Sequence, residues 1–548
     1  MRLLPYLVID ALARASGERY STFDVVGVGP RVVAGVLEEF EETLLLPYER
    51  VISNIEIVRN FDAIFISSMS SDYRAVRKIV NIIQNWFRGP IVIGGPLSFE
   101  YKRVLVELKV DYVIVGEAEI PLRLLIQCLK RGGGECLESV PALAFKRDNR
   151  VVITSKHVYT PKNVLSAIKP WTKVDQSYRP TWIYRFYVEV LRGCSNFYRP
   201  LIRVSELNCV LCMKCRSPVY AERIYCPSGI PPGCGFCSVP LMSGYPRSRR
   251  VGSVVSEIEE LIKHGARRIV LSAPDFLDYG RDELVEDILT DPCNPPANLD
   301  AVESLLNSVY SIEEVKSGRV VVMIENIKAC LVSEEVAKTL GKYLRGTTVH
   351  IGLETGCDWF NDRVLGKPIS VKQVIDACKL LKSAGLRPYV YLMYDLPLAT
   401  RDVYLKTLES VKALSQIGVE KITLYKYVKL PATAFEKLRV ENSSSLRDVV
   451  AELKKLVNKY NTAMKRDLIG KRIEVYVVKT ERGLYGYPVK HGPVVVISSR
   501  TAPRLDLSGC RCIVEIVDIS KRAVRGRLIS VLECPQELGV SQREAEPC

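Results

Sequence analysis

The sequence lacks any apolar run that could cross a membrane. No stretch of its 548 residues approaches the roughly 18 consecutive apolar residues of a spanning helix. The opening segment MRLLPYLVIDALARASGERY reaches charged residues too early for a signal peptide. These absences predict a cytoplasmic protein, in which cysteine thiols stay reduced and are free to bind metal.

Histidine and glutamine are scarce, whereas basic residues are abundant. The chain has four histidines, and its 77 lysines and arginines give a formal net charge of +15. This excess of positive charge favours an anionic partner such as nucleic acid. A charged chain poor in glutamine and histidine is also typical of hyperthermophile proteins, in which a basic surface needs no partner. The length suggests three or four domains.

Cysteine is concentrated in one stretch, between Val188 and Pro240. This stretch holds seven of the 17 cysteines: Cys194, Cys209, Cys212, Cys215, Cys226, Cys234 and Cys237. Thiolates at such spacing can converge on a soft metal or an iron–sulfur cluster. A disulfide-rich loop is the alternative, but a long chain with 47% hydrophobic residues can form a large core and does not need disulfides for its stability. Four scattered cysteines in the later part of the barrel region, Cys293, Cys330, Cys357 and Cys378, are predicted to be core or loop thiols.

Residues 1–165 are predicted to form an α/β domain with a doubly wound parallel sheet. The segments FDAIFISS, GPIVIGGP and VDYVIVGEAE are typical of buried parallel strands, and the first and third are followed by helical patterns. Ligands of such sheets bind beyond the carboxyl ends of the strands. Glycines there also fit a simple role in tight turns. The residues expected at that edge are Ser67, Ser68, Gly94, Gly95, Gly116 and Glu117.

The segments IVIGGPLSFE and VDYVIVGEAEIPLRLL resemble the cobalamin-binding-type domain that precedes many radical SAM cores. That family places a histidine beneath the cobalt through an Asp-x-His-x-x-Gly motif. The only histidine in this region is His157, and it does not stand in such a motif. The resemblance therefore implies a domain whose cobalt would have no histidine ligand, and the sequence leaves cobalamin binding open.

The segments YVEVLRGC and GCGFCSVP resemble the first strand and the Cys-x3-Cys-x2-Cys motif of the radical SAM family. The resemblance implies a partial (β/α) barrel over residues 180–440 with a [4Fe–4S] cluster on Cys194, Cys234 and Cys237. Phe236 stands where the family has an aromatic residue. Three ligands would leave one iron open for S-adenosylmethionine (SAM). Because the first gap is stretched to 39 residues, Cys226 in place of Cys194 is the competing assignment.

The stretched gap is an insertion over residues 195–233 with four cysteines of its own. Cys209, Cys212, Cys215 and Cys226 resemble a ferredoxin half-motif. Four cysteines would close every coordination position, so this site would be structural or electron-transferring. A second [4Fe–4S] cluster and a zinc knot both fit the pattern, because both accept four thiolates.

Three acidic residues of the barrel are candidates for binding SAM. Glu354 leaves a buried strand where the family contacts the ribose or amino group of SAM, although it could instead cap a helix. Asp275 is a further candidate for positioning SAM. It lies in LSAPD, a segment that resembles the methylthiotransferase branch together with Arg247–Arg249 and Tyr279-Gly280. Asp395 takes the place of the glycine in the Gly-Leu-Pro of the family's sixth strand.

The carboxyl-terminal part is predicted to be a helical linker over 441–466, a small β-barrel over 467–534 and a tail over 535–548. Short alternating strands separated by glycine, proline and charged turns are typical of such a barrel. Leu-Ile-Gly at 468–470, Gly-Tyr-Pro at 486–488 and Arg-Gly-Arg-Leu at 525–528 resemble a TRAM domain, an RNA-binding barrel. An RNA-indifferent docking module is the alternative. The resemblance implies RNA contacts by Lys471, Arg472, Lys490, Arg525 and Arg527.

The combined hypothesis is a radical SAM enzyme that cleaves SAM to a 5′-deoxyadenosyl radical and modifies a carbon of RNA, such as a tRNA base. A ferredoxin or flavodoxin would supply the electrons. Methylthiotransferases hold a second cluster on three cysteines of the amino-terminal domain, and here that domain offers only Cys128 and Cys136. One alternative is a cobalamin-type radical SAM enzyme that methylates or couples carbons of a lipid or small molecule. The other is a non-catalytic iron–sulfur RNA-binding protein.

Overall fold

The computed structural model describes residues 5–17, 24–440, 444–480, 483–498, 507–520 and 523–534. The predicted tail at 535–548 lies outside the described residues. The predicted fold class is confirmed: an amino-terminal parallel sheet, a central run of parallel strands and a carboxyl-terminal closed barrel. Within the described residues, no helix is long and apolar enough to span a bilayer.

The amino-terminal part alternates strands and helices. Its strands are β1 (Tyr6–Asp10), β2 (Val25–Val26), β3 (Thr43–Pro47), β4 (Ala63–Ser67), β5 (Ile91–Gly94), β6 (Tyr112–Ile114), β7 (Leu143–Arg147) and β8 (Arg150–Ile153). Its helices are α1 (Val28–Leu37), α2 (Tyr48–Ser53), α3 (Tyr73–Ile83), α4 (Tyr101–Leu108), α5 (Glu119–Lys130) and α6 (Lys162–Ala167).

Seven of these strands form one sheet in the order β3-β1-β4-β5-β6-β7-β8. The first five are parallel, as predicted, and the hairpin β7–β8 extends the sheet antiparallel. Helix α3 forms because Val76, Ile79, Val80 and Ile83 recur at helical spacing, and the sheet buries all four. The strand order reverses between β1 and β4, and such sheets bind ligands in the crevice at this point.

The central part begins with the cysteine-rich stretch and continues as strand–helix units. Its strands are β9 (Arg185–Glu189), β10 (Leu191–Arg192), β11 (Arg203–Val204), β12 (Leu207–Asn208), β13 (Arg247–Ser248), β14 (Arg268–Ser272), β15 (Val321–Ile324), β16 (Thr348–Glu354), β17 (Arg387–Tyr394) and β18 (Lys421–Lys426). Its helices are α7 (Val239–Ser243), α8 (Val251–Lys263), α9 (Leu299–Tyr310), α10 (Glu313–Lys316), α11 (Glu334–Leu344), α12 (Val371–Ser383) and α13 (Arg401–Ile417).

Six parallel strands of this part follow one another in space as they do in sequence. The sheets β9-β14-β15 and β16-β17-β18 are joined by a parallel bridge between Asn326 and His350. Strand β2, from the amino-terminal part, pairs with the outer edge of β9. Asp24, beside β2, forms ion pairs with Arg185 at 3.0 Å and Arg268 at 2.7 Å. The amino-terminal part therefore contributes one strand, β2, to the central sheet.

The carboxyl-terminal part is a helix followed by a closed barrel. The elements are α14 (Ser444–Arg466), β19 (Arg472–Thr480), β20 (Gly483–Pro488), β21 (Val495–Ile497), β22 (Arg511–Ile519) and β23 (Val524–Glu533). The strands close in the order β19-β20-β21-β23-β22. Alternate residues such as Val475, Val477, Val514 and Ile516 fill the interior, as the period of a strand requires.

This barrel docks against the amino-terminal ends of the central strands. Arg268, the first residue of β14, donates to the carbonyls of Pro488 at 3.0 Å and Val489 at 3.2 Å. The hydroxyl of Tyr389, near the start of β17, lies 3.2 Å from Nδ1 of His491. Because Cys194 and Glu354 lie at the opposite, carboxyl-terminal ends, the docked barrel is remote from them.

Six of the cysteines in the described part of the chain are paired as disulfides. The pairs are Cys128–Cys136, Cys293–Cys330 and Cys510–Cys534. The prediction that Cys293 and Cys330 are free thiols is therefore wrong, because distant loops bring them together. Cys357 and Cys378 are buried thiols, as predicted.

The docking of the barrel leads to a pH dependence of stability. Burial lowers the pKa of His350 from 6.5 to about 4, and it holds the pKa of His491 well below its usual range. The unfolded chain therefore binds more protons than the folded protein below pH 6.5, so stability falls as the pH drops from 6.5 towards 4. For His350 alone we expect a loss of about 2 kcal/mol between pH 7 and pH 5.

Urea unfolding followed by tryptophan fluorescence at both pH values measures this loss. The His350→Gln variant should show a smaller drop than the wild type over the same interval. An equal drop in the two proteins would mean that His350 does not contribute.

Candidate active site

The first predicted cluster ligand lies at the carboxyl-terminal end of the first central strand. Cys194 follows β10, and its backbone N–H donates to the carbonyl of Gly244 at 3.0 Å. Gly193 has a φ of +90°, and a Cβ there would lie 2.1 Å from the carbonyl oxygen of Tyr245. The Arg-Gly-Cys sequence therefore needs its glycine, because a larger residue at 193 would clash with the backbone of the loop at Gly244 and Tyr245.

The structure brings Cys194, Cys234 and Cys237 together. The side-chain amide of Asn196 donates to Sγ of Cys234 at 3.2 Å, and its backbone N–H lies 3.5 Å from Sγ of Cys194. The N–H of Cys237 donates to the carbonyl of Cys234 at 2.8 Å. The competing candidate Cys226 lies instead with the other cysteines of the insertion.

Two half-buried lysines face this cysteine set. Burial raises the pKa of Cys194 to about 11, while the charge of Lys328 acts to lower it. Burial likewise raises the pKa of Cys237 to about 12, and the charge of Lys367 opposes that rise. Ordinary thiols at this position would therefore stay protonated. The lysines supply positive charge suited to an anionic thiolate centre.

Glu354 lies beside the cysteines at the end of β16. Its charge acts to raise the pKa of Cys234, so the two groups are close. Oε1 of Glu354 accepts from Nζ of Lys367 at 2.6 Å, and the same ammonium donates to the carbonyl of Gly352 at 2.7 Å. Glu354 has a left-handed φ of +68°, so it ends the strand rather than capping a helix.

Asp275 holds a lysine rather than lying open to a ligand. Its Oδ1 accepts from the backbone N–H of Leu277 and of Lys328, each at 3.1 Å. Its Oδ2 forms an ion pair with Nζ of Lys328 at 2.8 Å, and the same Nζ lies 2.6 Å from Asp278. Asp275 therefore positions the lysine that faces Cys194.

Phe236 lies within the cysteine motif, and Asp395 lies at the end of a later strand. Phe236 is partly buried against the main core between the two cysteines that flank it. Asp395 follows β17 with a left-handed φ of +56°, and its Oδ2 is 3.5 Å from Nζ of Lys426. Asp395 therefore has the left-handed conformation that would suit a glycine at this position, which aspartate tolerates better than most residues.

Asn196, Lys328 and Lys367 were not found by sequence reasoning. None stands in a cysteine motif, and each reaches the centre from a different loop. Lys328 follows the strand VVVMI and Lys367 follows the turn at Gly366, which is a signal common to many loops. Only the folded arrangement singles them out.

The carboxyl edge of the amino-terminal sheet has features of a ligand cradle. The side-chain hydroxyl of Ser68 is buried and has no hydrogen-bond partner among the described residues. A Cβ built on Gly94 would meet no atom within 4 Å, so this edge is open above the glycine. At Gly95 the backbone approaches the carbonyl of Ser68 so closely that a Cβ would lie 2.5 Å from it. An orphaned donor beside open space fits a bound group such as the nucleotide tail of cobalamin.

Another part of the same edge contacts the cysteine-bearing loops directly. Glu117, just past β6, pairs with Arg247 at 2.6 Å, and Glu119 pairs with Arg192 at 2.5 Å. All four side chains are buried or nearly so. Nε2 of His157 lies 2.7 Å from the carbonyl of Leu241 in α7. The edge of the sheet thus contacts the segment just before Cys194, through Arg192, and the segment just after Cys237, through Leu241 and Arg247.

The four cysteines of the insertion line a separate cavity. Cys209, Cys212, Cys215 and Cys226 surround it together with Arg199. Among the described residues, no three histidine, cysteine or acidic side chains converge closely enough to hold one metal ion.

Most of the basic residues predicted to bind RNA already have partners. Arg525 pairs with Asp518 at 3.2 Å, and Arg527 pairs with Glu515 at 2.6 Å. Nζ of Lys490 lies 3.4 Å from the carbonyl of Arg345, at the docking interface. Lys471 and Arg472 are exposed, and no described carboxylate lies within ion-pair distance of either.

Two family models match the chain. The radical SAM superfamily model matches residues 225–411, and the B12 binding domain model matches residues 19–126. The chain is 37% identical to the uncharacterized protein MK0932 of Methanopyrus kandleri over 96% of both chains. It is 34% identical to the uncharacterized protein MJ1620 of Methanocaldococcus jannaschii, over 96% of this chain and 99% of that one.

More distant similarities include an enzyme of known activity and a solved structure. The ribosomal protein uS12 methylthiotransferase RimO of Clostridium botulinum is 23% identical over 54% of this chain and 62% of its own length. The radical SAM methyltransferase TsrM of Kitasatospora setae, solved with cobalamin and a [4Fe–4S] cluster, superposes with a TM-score of 0.55 at 14% identity. The match covers 79% of this chain and 74% of TsrM, and it shows a shared fold.

The contact between the sheet edge and the cysteine loops can be tested by removing one charge. We expect Arg247→Met to lower the free energy of unfolding by about 3 kcal/mol, because it leaves the buried Glu117 without its main partner. Lys263→Met, on a fully exposed lysine that pairs with Glu260, should leave the stability near that of the wild type. Urea unfolding of both variants measures the difference, and equal effects would rule out the contact.

Proposed function

The chain belongs to the radical SAM superfamily and carries a B12-binding domain, and we propose that it is a cobalamin-using radical SAM enzyme acting on a carbon of a small molecule or lipid. The observation that carries this proposal is the contact between two candidate cofactor sites. Arg192, two residues before Cys194, is paired with Glu119 at the carboxyl edge of the amino-terminal sheet. Cofactors bound at the two sites would therefore lie side by side.

Cys194, Cys234 and Cys237 are the proposed ligands of the SAM cluster. A [4Fe–4S] cluster on three cysteines keeps one iron open for SAM and supplies the electron that cleaves it. The superfamily match begins at residue 225 and does not include Cys194. The choice of Cys194 rests instead on Asn196, which contacts both Cys194 and Cys234.

The chain's own residues prepare this centre. The charges of Lys328 and Lys367 would favour the thiolate form of the cysteines. Asp275 and Asp278 hold Lys328 in place, and Glu354 holds Lys367. Glu354 is proposed to accept from the amino group of SAM, since it is the acidic side chain that acts on Cys234. The three cysteines are only partly exposed, which limits the access of water to a reactive species.

Ser68 and Gly94 are proposed to contact cobalamin. The bound group would satisfy the buried hydroxyl of Ser68 and fill the space above Gly94. Cobalamin would add a carrier for the transferred carbon group. His157 is engaged with Leu241 and Tyr159, so it does not supply a ligand beneath the cobalt.

RNA modification is the second candidate, and it rests on the small basic barrel at the carboxyl end of the described residues. Two observations weigh against it. The barrel docks at the end of the central strands opposite to Cys194. Cys128 and Cys136, the cysteines of the amino-terminal domain, are joined in a disulfide, so they do not offer a second cluster there.

The radical SAM assignment predicts SAM cleavage by the reconstituted protein. After anaerobic loading with iron and sulfide, dithionite and SAM should give 5′-deoxyadenosine and methionine. Cys237→Ala should give neither, whereas Cys378→Ala, which removes a buried thiol of α12, should retain both iron and product. Mass spectrometry of the reaction measures this. Product from Cys237→Ala at the wild-type level would refute the ligand assignment.

The cobalamin assignment predicts retention of hydroxocobalamin. Gly94→Val fills the open space at the sheet edge and should weaken binding by about tenfold or more. Gly252→Val is a matched control, because a Cβ there also meets no atom and Gly252 is an exposed residue of helix α8. Absorbance after gel filtration reports binding without any turnover. Equal retention by the two variants, or none by the wild type, would contradict the assignment.

The RNA candidate predicts a salt-dependent affinity carried by the unpaired basic residues. If Lys471 and Arg472 contact phosphates, replacing both with glutamine should reduce the slope of log affinity against log salt by about 1.4. Filter binding of bulk tRNA across a salt series gives the slope. Identical slopes for variant and wild type would remove RNA binding from this barrel.

A further inference from the structure

Arg199 is a buried cation without an anionic partner. Its side chain is 2% exposed, and no described carboxylate lies within ion-pair distance. Its guanidinium donates only to backbone carbonyls: Ile230 at 2.8 Å, Phe197 at 3.1 Å, Arg223 at 2.5 Å and Ile224 at 2.9 Å. A buried charge left unbalanced in this way is costly, so a negative group is expected nearby.

The cavity beside Arg199 is lined by the four cysteines of the insertion. As neutral thiols they would leave the guanidinium uncompensated. As thiolates around a metal centre they would supply net negative charge next to it. The buried charge of Arg199 and the four thiols that line the cavity are independent observations. Both indicate an anionic metal centre in this cavity.

The loop geometry favours an iron–sulfur cluster over a zinc ion. Leu211 and Met213, each between two cysteines, adopt left-handed φ values of 54° and 58°. The left-handed residues bend the backbone around the cysteine side chains, and the N–H of Leu211 donates to Sγ of Cys209 at 3.3 Å. Zinc needs four sulfurs about 2.3 Å from one point. A cubane takes its ligands at four separate corners, so it does not need the four sulfurs to meet at one point.

We propose that Cys209, Cys212, Cys215 and Cys226 bind a second [4Fe–4S] cluster and that Arg199 is a positioning residue that balances its charge. With four thiolates the oxidised cluster carries a charge of −2 and leaves no iron open. Its chemistry is therefore the gain and loss of one electron, with no bond made or broken. Because Cys212 is exposed, the cluster reaches the protein surface, where a low-potential one-electron carrier can reduce it.

This second site lies next to the proposed SAM cluster in the chain. Asn196, which contacts Cys234, and Arg199 are three residues apart. Gly366 touches both: its carbonyl accepts from Asn196 at 3.0 Å, and a Cβ on it would lie 2.7 Å from the carbonyl carbon of Arg199. The segment from Cys194 to Arg199 thus connects the two cysteine sets without mixing their ligands.

The first test separates the two cysteine sets. Changing Cys194, Cys234 and Cys237 together to alanine should leave roughly half of the reconstituted iron and sulfide. Dithionite should give this triple variant a reduced-cluster EPR signal that SAM does not alter. Bound zinc with no iron, or loss of all metal from a variant that keeps the wild-type circular dichroism, would overturn the proposal. Neither result depends on SAM cleavage by the wild type.

The second test concerns the charge of Arg199 and is made in the same triple variant. Arg199→Gln should make the midpoint potential of the cluster more negative, because a nearby positive charge favours the reduced form. Arg199→Lys keeps the charge and should stay near the parent value. An EPR-monitored redox titration gives both potentials. Equal potentials for the parent and Arg199→Gln would refute the role of Arg199, and the iron content of Arg199→Gln shows whether the site still assembles.

Discussion

The buried ion pairs between the first sheet and the cysteine loops determine how the rest of the molecule is arranged. Glu117 and Glu119 lie at the carboxyl edge of the sheet, and Arg247 and Arg192 flank the cysteines. Buried pairs of this kind add little net stability, but losing one partner costs about 3–5 kcal/mol. They therefore select one orientation, in which the open edge at Gly94 and the proposed SAM cluster site belong to neighbouring surfaces.

Strands and cysteine motifs were predictable because they depend on local pattern. Apolar runs ending in small residues gave the parallel strands, and Arg-Gly-Cys gave the position of Cys194. The charged surroundings of the cysteines were not predictable, since Lys328 and Lys367 come from loops far apart in sequence. The Cys293–Cys330 disulfide escaped prediction for the same reason. Contacts between distant loops leave no periodic signal.

The carboxyl-terminal barrel shows how a correct fold prediction can leave function open. Its strands and closure follow from alternating residues and turn glycines, as predicted. Its orientation depends on contacts made by Arg268, Tyr389 and His491. No sequence motif predicts these contacts. The surface that was expected to meet RNA includes Lys490, which lies at the docking interface instead. The alternative of a docking module is therefore the one that these contacts support.

The most direct test of this account is the magnetic interaction between the two proposed cofactors. The protein would be reconstituted with iron and sulfide, loaded with cob(II)alamin and reduced, and its EPR spectrum recorded. The account predicts that the cluster signal that responds to SAM is broadened by the nearby cobalt, and that Gly94→Val abolishes the broadening. A SAM-responsive cluster signal unchanged by bound cob(II)alamin would contradict the adjacency of the two sites.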